Sequence, residues 1–175
     1  MTDPRLVADL LDSGAVRFGT FTLTSGQTSD VYVDVKRATT DPERLGRIAA
    51  LLTEHVGDAE RLAGMELGAV PLVVALALAA RRPYAIVRKA ARTHGTGNRV
   101  EGDIPSGARV LVVEDVTTTG GSVVETVGLL REAGAIVDRV VCVVDREQGA
   151  RERLATVGVR LEPLVTLAEL RGSRR

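Results

Sequence analysis

A chain of 175 residues, 45% apolar, 26% charged and 2% aromatic, is long enough for one core built from Val, Leu, Ile and Ala, with no need of disulfides or metals. Its 23 Lys and Arg balance 23 Asp and Glu, which excludes a global field directed at nucleic acid or an anionic membrane, so any anion site has to be local. Cys142 is the only cysteine and the two histidines, His55 and His94, lack ligand spacing, so disulfide and Cys/His metal schemes have no residues to use.

The first residues, MTDPRLVADLLDSG, carry acids where a secretory signal has basic groups, and the longest apolar run, 70–80, is too short to span a bilayer; a cytoplasmic location is expected. Asp3-Pro4 supplies a cap and a first-turn proline for a helix over Arg5–Asp12, with Leu6, Leu10 and Leu11 on one face and Gly14 as its stop. Phe18–Leu23 and Val31–Val35 have strand composition on either side of the turn TSGQTSD, which predicts a hairpin or small hood apart from the main sheet. Asp41-Pro42 repeats the start signal, and Leu45, Ile48, Ala49 and Leu52 give the helical period to about Val56; His55, in LLTEHVG, reads as a solvated helix end.

Strands and helices then alternate. RLAGME leads to VPLVVALALAARR, YAIVRK to a long polar loop, ARVLVVED to GSVVETVGLLREAG, and DRVVCVVD, with Cys142 as a core residue, to GARERLATVG; VRLEPL and TLAEL close the chain. Continuous apolar strands between helices predict an α/β domain with a mainly parallel sheet covered on both faces and a ligand crevice at the carboxyl ends of its strands. One domain is expected over 1–175, with the hood at about 1–40 and a lid loop at about 89–108, and no internal repeat.

The stretch VLVVEDVTTTGGS, 110–122, carries the chemistry. Glu114 and Asp115 are adjacent carboxylates at the end of a buried strand, costly there unless paired or liganded, and a ribose 2,3-diol offers two donors at matching spacing. Thr117, Thr118, Thr119, Gly120, Gly121 and Ser122 then lead into a helix, so backbone N–H groups, hydroxyls and the helix dipole converge on one anion. Carboxylates for a ribose beside a nest for its 5-phosphate make a phosphoribosyl site, whereas an ordinary strand-to-helix turn needs no acid pair. Neither a Walker loop nor a dinucleotide fingerprint is present.

The loop IVRKAARTHGTGNRVEG adds Arg88, Lys89, Arg92, His94 and Arg99, with Gly95 and Gly97 as hinges. Cations closing over a leaving pyrophosphate stabilise the transition state more than the ground state, and closure excludes water.

VLVVEDVTTTGGS resembles the phosphoribosyl pyrophosphate (PRPP) motif of the type I phosphoribosyltransferases, and the chain from about Phe18 to Leu170 is similar to the orotate phosphoribosyltransferases. The resemblance implies that family's fold: a central, mainly parallel sheet flanked by helices, with a small N-terminal hood. It also implies transfer of the 5-phosphoribosyl group from PRPP to orotate in pyrimidine biosynthesis, giving orotidine 5-monophosphate and pyrophosphate. Arg88, Lys89, Arg92, His94 and the run Glu114, Asp115, Val116, Thr117, Thr118, Thr119, Gly120, Gly121, Ser122 would bind PRPP, with Arg92, His94 and Asp115 as catalytic groups. Thr118, Arg146 and Lys36 would hold orotate, Arg146 by a forked pairing with its carboxylate.

GMELGAVP looks like the family's pyrophosphate loop. Mg2+ would be bound mainly through PRPP, with no dedicated protein ligands. A homodimer sharing lid residues across its interface follows from the same resemblance. Three positions depart from the pattern: Arg92 stands in place of a catalytic lysine, keeping charge but not an exchangeable proton, which leaves proton traffic to His94, while Thr24 stands where many members, and Gly68 where some members, carry lysine. A phosphoribosyltransferase for another base lacks a reason for Arg146. A non-catalytic PRPP-sensing regulator lacks a nucleic-acid surface, and a plain nucleotide-binding module leaves the lid unexplained.

Overall fold

A computed structural model describes residues 2–22, 26, 28–90 and 98–173. Helix α1 (Pro4–Asp12) starts where Asp3 accepts the free N–H groups of Arg5 and Leu6, and it buries Leu6, Val7 and Leu10. Strands β1 (Val16–Thr22) and β2 (Thr28–Val33) form an antiparallel hairpin of their own, from Val16↔Val33 to Thr22↔Thr28, apart from the main sheet. β2 stops at Val33, two residues short of the expected end, because the chain turns into a one-turn helix, α2 (Lys36–Thr39), that sequence patterning does not announce. Helix α3 (Pro42–Thr53) is capped by Asp41, and its Arg47 grips the buried Asp9 of α1 through two hydrogen bonds of 2.7 and 2.8 Å.

The main sheet comprises β3 (Arg61–Met65), β4 (Tyr84–Val87), β5 (Val100–Glu101), β6 (Val110–Thr117), β7 (Arg139–Asp145) and β8 (Arg160–Thr166), in the order β5-β4-β3-β6-β7-β8. All neighbours are parallel except β5, a two-residue strand inside the expected lid loop that pairs antiparallel with β4. Helices α4 (Ala69–Ala80), α5 (Gly121–Glu132), α6 (Ala150–Ala155) and α7 (Leu167–Gly172) complete the fold.

The alternation of strand side chains makes two cores. Leu111, Val113, Val141 and Val143 join residues of α1, α3, α4 and α7, while Val110, Val112, Val140 and Cys142 join α5 and α6. With both faces covered, the central strands read as unbroken apolar runs. Cys142 is fully buried, and that burial pushes its thiol up, so it stays protonated. His55 departs from its expectation: it is half-buried, with Nδ1 2.8 Å from Glu162 of β8, a strand whose adjacency could not be read locally.

Strand order reverses at β3. The chain passes from β3 outward to β4 and returns across β3 to β6, and such a reversal opens a crevice at the carboxyl ends of the two strands. β6 pairs with β3 only as far as Val112 but with β7 through Thr117. Its last residues therefore have one side clear for a ligand.

Candidate active site

A cavity of about 340 Å³ occupies that crevice, lined from the end of β3 by Met65, Glu66, Leu67 and Gly68, from β6 by Glu114, Asp115 and Val116, and further by Lys36, Lys89 and Ser122. Glu114 and Asp115 lie within β6, which continues to Thr117, rather than at its last residue. Both still reach one cavity, since the cavity wraps around the free side of the strand. Glu114 is buried and its Oε1 accepts the Asp115 N–H at 3.0 Å; Asp115 Oδ1 accepts the Val116 N–H at 2.8 Å. Burial, reinforced by the neighbouring Asp115 carboxyl, holds the Glu114 pKa well above the usual carboxylate range. Two acids in such contact await a partner that donates hydrogen bonds.

The loop after β3 comes close to these acids. Its Glu66–Leu67 peptide is cis, the Glu66 N–H donates to the Val87 carbonyl at 2.9 Å, and the Glu66 Oε1 accepts the Lys89 N–H at 3.0 Å. Gly68 faces the Asp115 carboxyl directly: a Cβ built there would overlap Oδ2 and Cγ and lie 2.8 Å from Oδ1.

Beyond Thr117 the chain forms the turn expected of an anion nest. Gly120 takes φ +76°, a left-handed conformation that suits glycine, and α5 begins at Gly121. Ser122 reaches the cavity, Thr118 is half-buried and Thr119 exposed. Thr117 differs from its two neighbours, because its buried hydroxyl is turned into the sheet, donating to Asp145 Oδ1 at 3.0 Å and lying 3.5 Å from Cys142 Sγ. Only its backbone is left for an anion.

Arg146 follows β7, one strand over. Its N–H donates to the Thr117 carbonyl at 2.9 Å, which staples the 145–147 turn to the nest, and Asp145 Oδ1 also accepts the Glu147 N–H at 3.0 Å. The Arg146 Nε is enclosed without a hydrogen-bond partner among the described residues. A buried guanidinium donor left open is costly and suits a ligand acceptor. Sequence reasoning misses Asp145, and with it the inward turn of the Thr117 hydroxyl; the one signal is Asp145 standing beside Arg146 in VVDRE.

Lys36, read from sequence as a base contact, opens α2 and lines the cavity with Gly68, Asp115 and Lys89; Arg146 does not line it. Its Nζ is 2.6 Å from Asp34, whose carboxylate pushes the ammonium pKa up and keeps it charged. Arg88 is half-buried and turned to Glu101 at 3.6 Å. Arg99, read as a lid cation, is a structural anchor: it donates to the carbonyls of Arg88 and Lys89 at 2.9 and 2.6 Å and pairs with Glu125 of α5 at 2.7 Å. Arg92 and His94, with Thr24, lie outside the described residues.

The family model of the phosphoribosyl transferase domain matches residues 36–163. An orotate phosphoribosyltransferase of Natronomonas pharaonis is 51% identical over 174 residues, 99% of this chain and 100% of that one. This chain belongs to the orotate phosphoribosyltransferase family. Among solved members, the crystal structure of the Aeropyrum pernix orotate phosphoribosyltransferase is similar with a TM-score of 0.85 at 39% identity, covering 94% of this chain and 95% of that one. A Mycobacterium tuberculosis orotate phosphoribosyltransferase crystallised in complex with 5-phospho-alpha-D-ribosyl 1-diphosphate gives a TM-score of 0.79 at 34% identity, covering 95% of this chain and 99% of that one. The family's mainly parallel sheet flanked by helices is the architecture found here.

Proposed function

We propose that this chain transfers the 5-phosphoribosyl group from PRPP to orotate, forming orotidine 5-monophosphate and pyrophosphate in pyrimidine biosynthesis. The observation that carries the reading is the acid pair Glu114–Asp115 lining the crevice immediately before the Thr117–Ser122 turn, with the backbone of Arg146 hydrogen-bonded to that same turn and its buried Nε left without a partner among the described residues.

In this reading the acids take the ribose hydroxyls, and the amides and hydroxyls of Thr118 to Ser122 take the 5-phosphate. The diphosphate lies along the backbone of Glu66 to Gly68. As the C1–oxygen bond breaks, negative charge grows on the departing diphosphate, and Lys36 and Lys89, with Arg88, Arg92 and His94 from the lid, offset it. Lys36 lines the cavity beside Gly68, so it supplies the cation that residue 68 lacks while facing the base from the hood. Arg146 and Thr118 orient orotate, whose carboxylate matches a guanidinium fork.

Mg2+ takes oxygen ligands, and the cavity offers the carboxylate oxygens of Asp115 beside the place the reading gives the diphosphate. When bound it neutralises diphosphate charge. A cytoplasmic homodimer completes the reading. Among the described residues no helix is long and apolar enough to cross a membrane. A groove of about 590 Å³, lined by Leu45, Leu67, Val70, Pro71, Val74 and Leu78, adjoins the cavity through Lys36 and Leu67 and leaves Leu67 70% and Leu78 77% exposed, an apolar face suited to a second copy.

The test is loss of orotate absorbance with PRPP and magnesium, with uracil and adenine as rival acceptors. Magnesium-dependent consumption of orotate alone is expected. Turnover of another base reassigns the acceptor, and PRPP binding with no turnover of any base makes the protein a sensor.

A further inference from the structure

The Thr117–Ser122 turn has no cationic side chain of its own, yet a 5-phosphate placed there carries close to two negative charges. The cations lining the cavity, Lys36 and Lys89, come from α2 and from the end of β4, outside the turn. One further guanidinium comes from outside the motif. Helix α6 packs against the turn so closely that a Cβ on Gly120 would meet Ala150 Cα at 3.1 Å, and one turn along α6 the Nη1 of Arg153 lies 3.1 Å from where a Cβ on Gly121 would be.

Gly121 is the first residue of α5, whose first-turn N–H groups have no partner within the helix, so the Arg153 guanidinium lies against that first turn. Arg153 is exposed, and no described residue hydrogen-bonds its guanidinium or pairs with it. Neighbouring arginines are engaged: Arg151 bonds the Leu161 carbonyl and Arg160 bonds Glu162.

We propose that Arg153 is a phosphate-binding residue of this site, closing over the 5-phosphate from α6 while the α5 N-terminus holds it from below. The proposal rests on the phosphoribosyl reading of the Thr117–Ser122 turn and adds a side chain that no residue of the PRPP motif supplies. The donor is a fork suited to a phosphoryl group, and its exposure leaves the phosphate reachable from solvent during binding.

Ribose 5-phosphate carries the phosphate without diphosphate or base, so its calorimetric affinity for the full-length protein isolates this contact; ribose and pyrophosphate serve as controls. Arg153→Gln weakens ribose 5-phosphate binding about tenfold, as for loss of one charge-assisted hydrogen-bonding group, and leaves pyrophosphate binding unchanged. In turnover, KM for PRPP rises by a similar factor with kcat and the orotate KM nearly constant, and Arg153→Lys recovers part of the loss. Equal ribose 5-phosphate affinity in wild type and Arg153→Gln overturns the proposal, as does an equal loss for pyrophosphate. A selective loss in a protein that turns over no base keeps Arg153 and removes the transferase reading. A wild type that binds no ribose 5-phosphate removes both.

Discussion

The Asp115 carboxyl occupies the space that a side chain at Gly68 would fill, so the loop after β3 and the acids of β6 meet without an intervening atom. The contact joins the two strands between which sheet order reverses, and it makes residue 68 a determinant of where the Asp115 carboxyl points.

Gly68→Ala therefore displaces Asp115. Its Cβ has no room while that carboxyl keeps its place against the Val116 N–H. We expect kcat/KM for PRPP to fall about tenfold to a hundredfold, with the fold retained, since the conflict is with one half-buried side chain. Gly68→Lys does not recover activity, although it adds a cation beside the cavity, because its Cβ meets the same carboxyl. Unchanged steady-state kinetics for Gly68→Ala would show that Asp115 has another productive position.

The buried Thr117–Asp145 hydrogen bond holds the turn bearing Arg146 against the start of the Thr117–Ser122 turn, and on the proposed function Asp145 is a positioning residue. Asp145→Ala leaves the Thr117 hydroxyl and the Glu147 N–H without their acceptor, at a cost of about 1–3 kcal/mol of stability. A structural role alone ends there. Positioning predicts in addition a raised KM for orotate, a smaller change for PRPP, and poorer discrimination of orotate from uracil. Asp145→Asn keeps an acceptor oxygen and restores most of that discrimination.

Glu114 has a raised pKa because burial and the adjacent Asp115 disfavour its charge. The folded protein holds this proton more tightly than the unfolded chain, so Glu114 costs stability progressively as pH rises from the ordinary carboxylate value of 4.5 through the raised one. Glu114→Gln removes that loss. Denaturant unfolding across pH should show the variant gaining on wild type as pH increases, with little difference below the ordinary carboxylate value, while PRPP affinity falls. A stability gap independent of pH would mean that Glu114 titrates alike folded and unfolded.

Leu78 and Leu67 sit exposed on the apolar groove beside the cavity. Leu78→Glu puts a charge in the proposed contact between copies, which light scattering should report as a shift from dimer to monomer. In the proposed dimer, with lid residues shared between subunits, activity is expected to fall with the dimer and to return at high protein concentration. A dimer that survives Leu78→Glu places the interface on another face.

Much of this protein is legible in the order of its residues, wherever the chemistry is local. Asp3 and Asp41 before prolines announce α1 and α3, because an N-cap needs only a short side chain beside the first free N–H groups. Unbroken valine runs announce buried parallel strands, and the passage from Glu114 through Ser122 announces an acid pair followed by a glycine turn into a helix, since all its parts are consecutive.

What the tertiary structure alone decided are relations between distant residues. Asp145 meets Thr117 because β7 lies beside β6, His55 meets Glu162 through β8, and β5 exists only because β4 offers it an edge. Lys36 enters the cavity from a helix of one turn, Arg99 ties the end of β4 to α5, and Arg153 lies against the first residue of α5 because Gly120 lets α6 approach. A residue's own neighbours in sequence set its backbone preference, but strand order and helix packing choose its partners in space, and there Arg99 becomes an anchor while Arg153 keeps an exposed guanidinium.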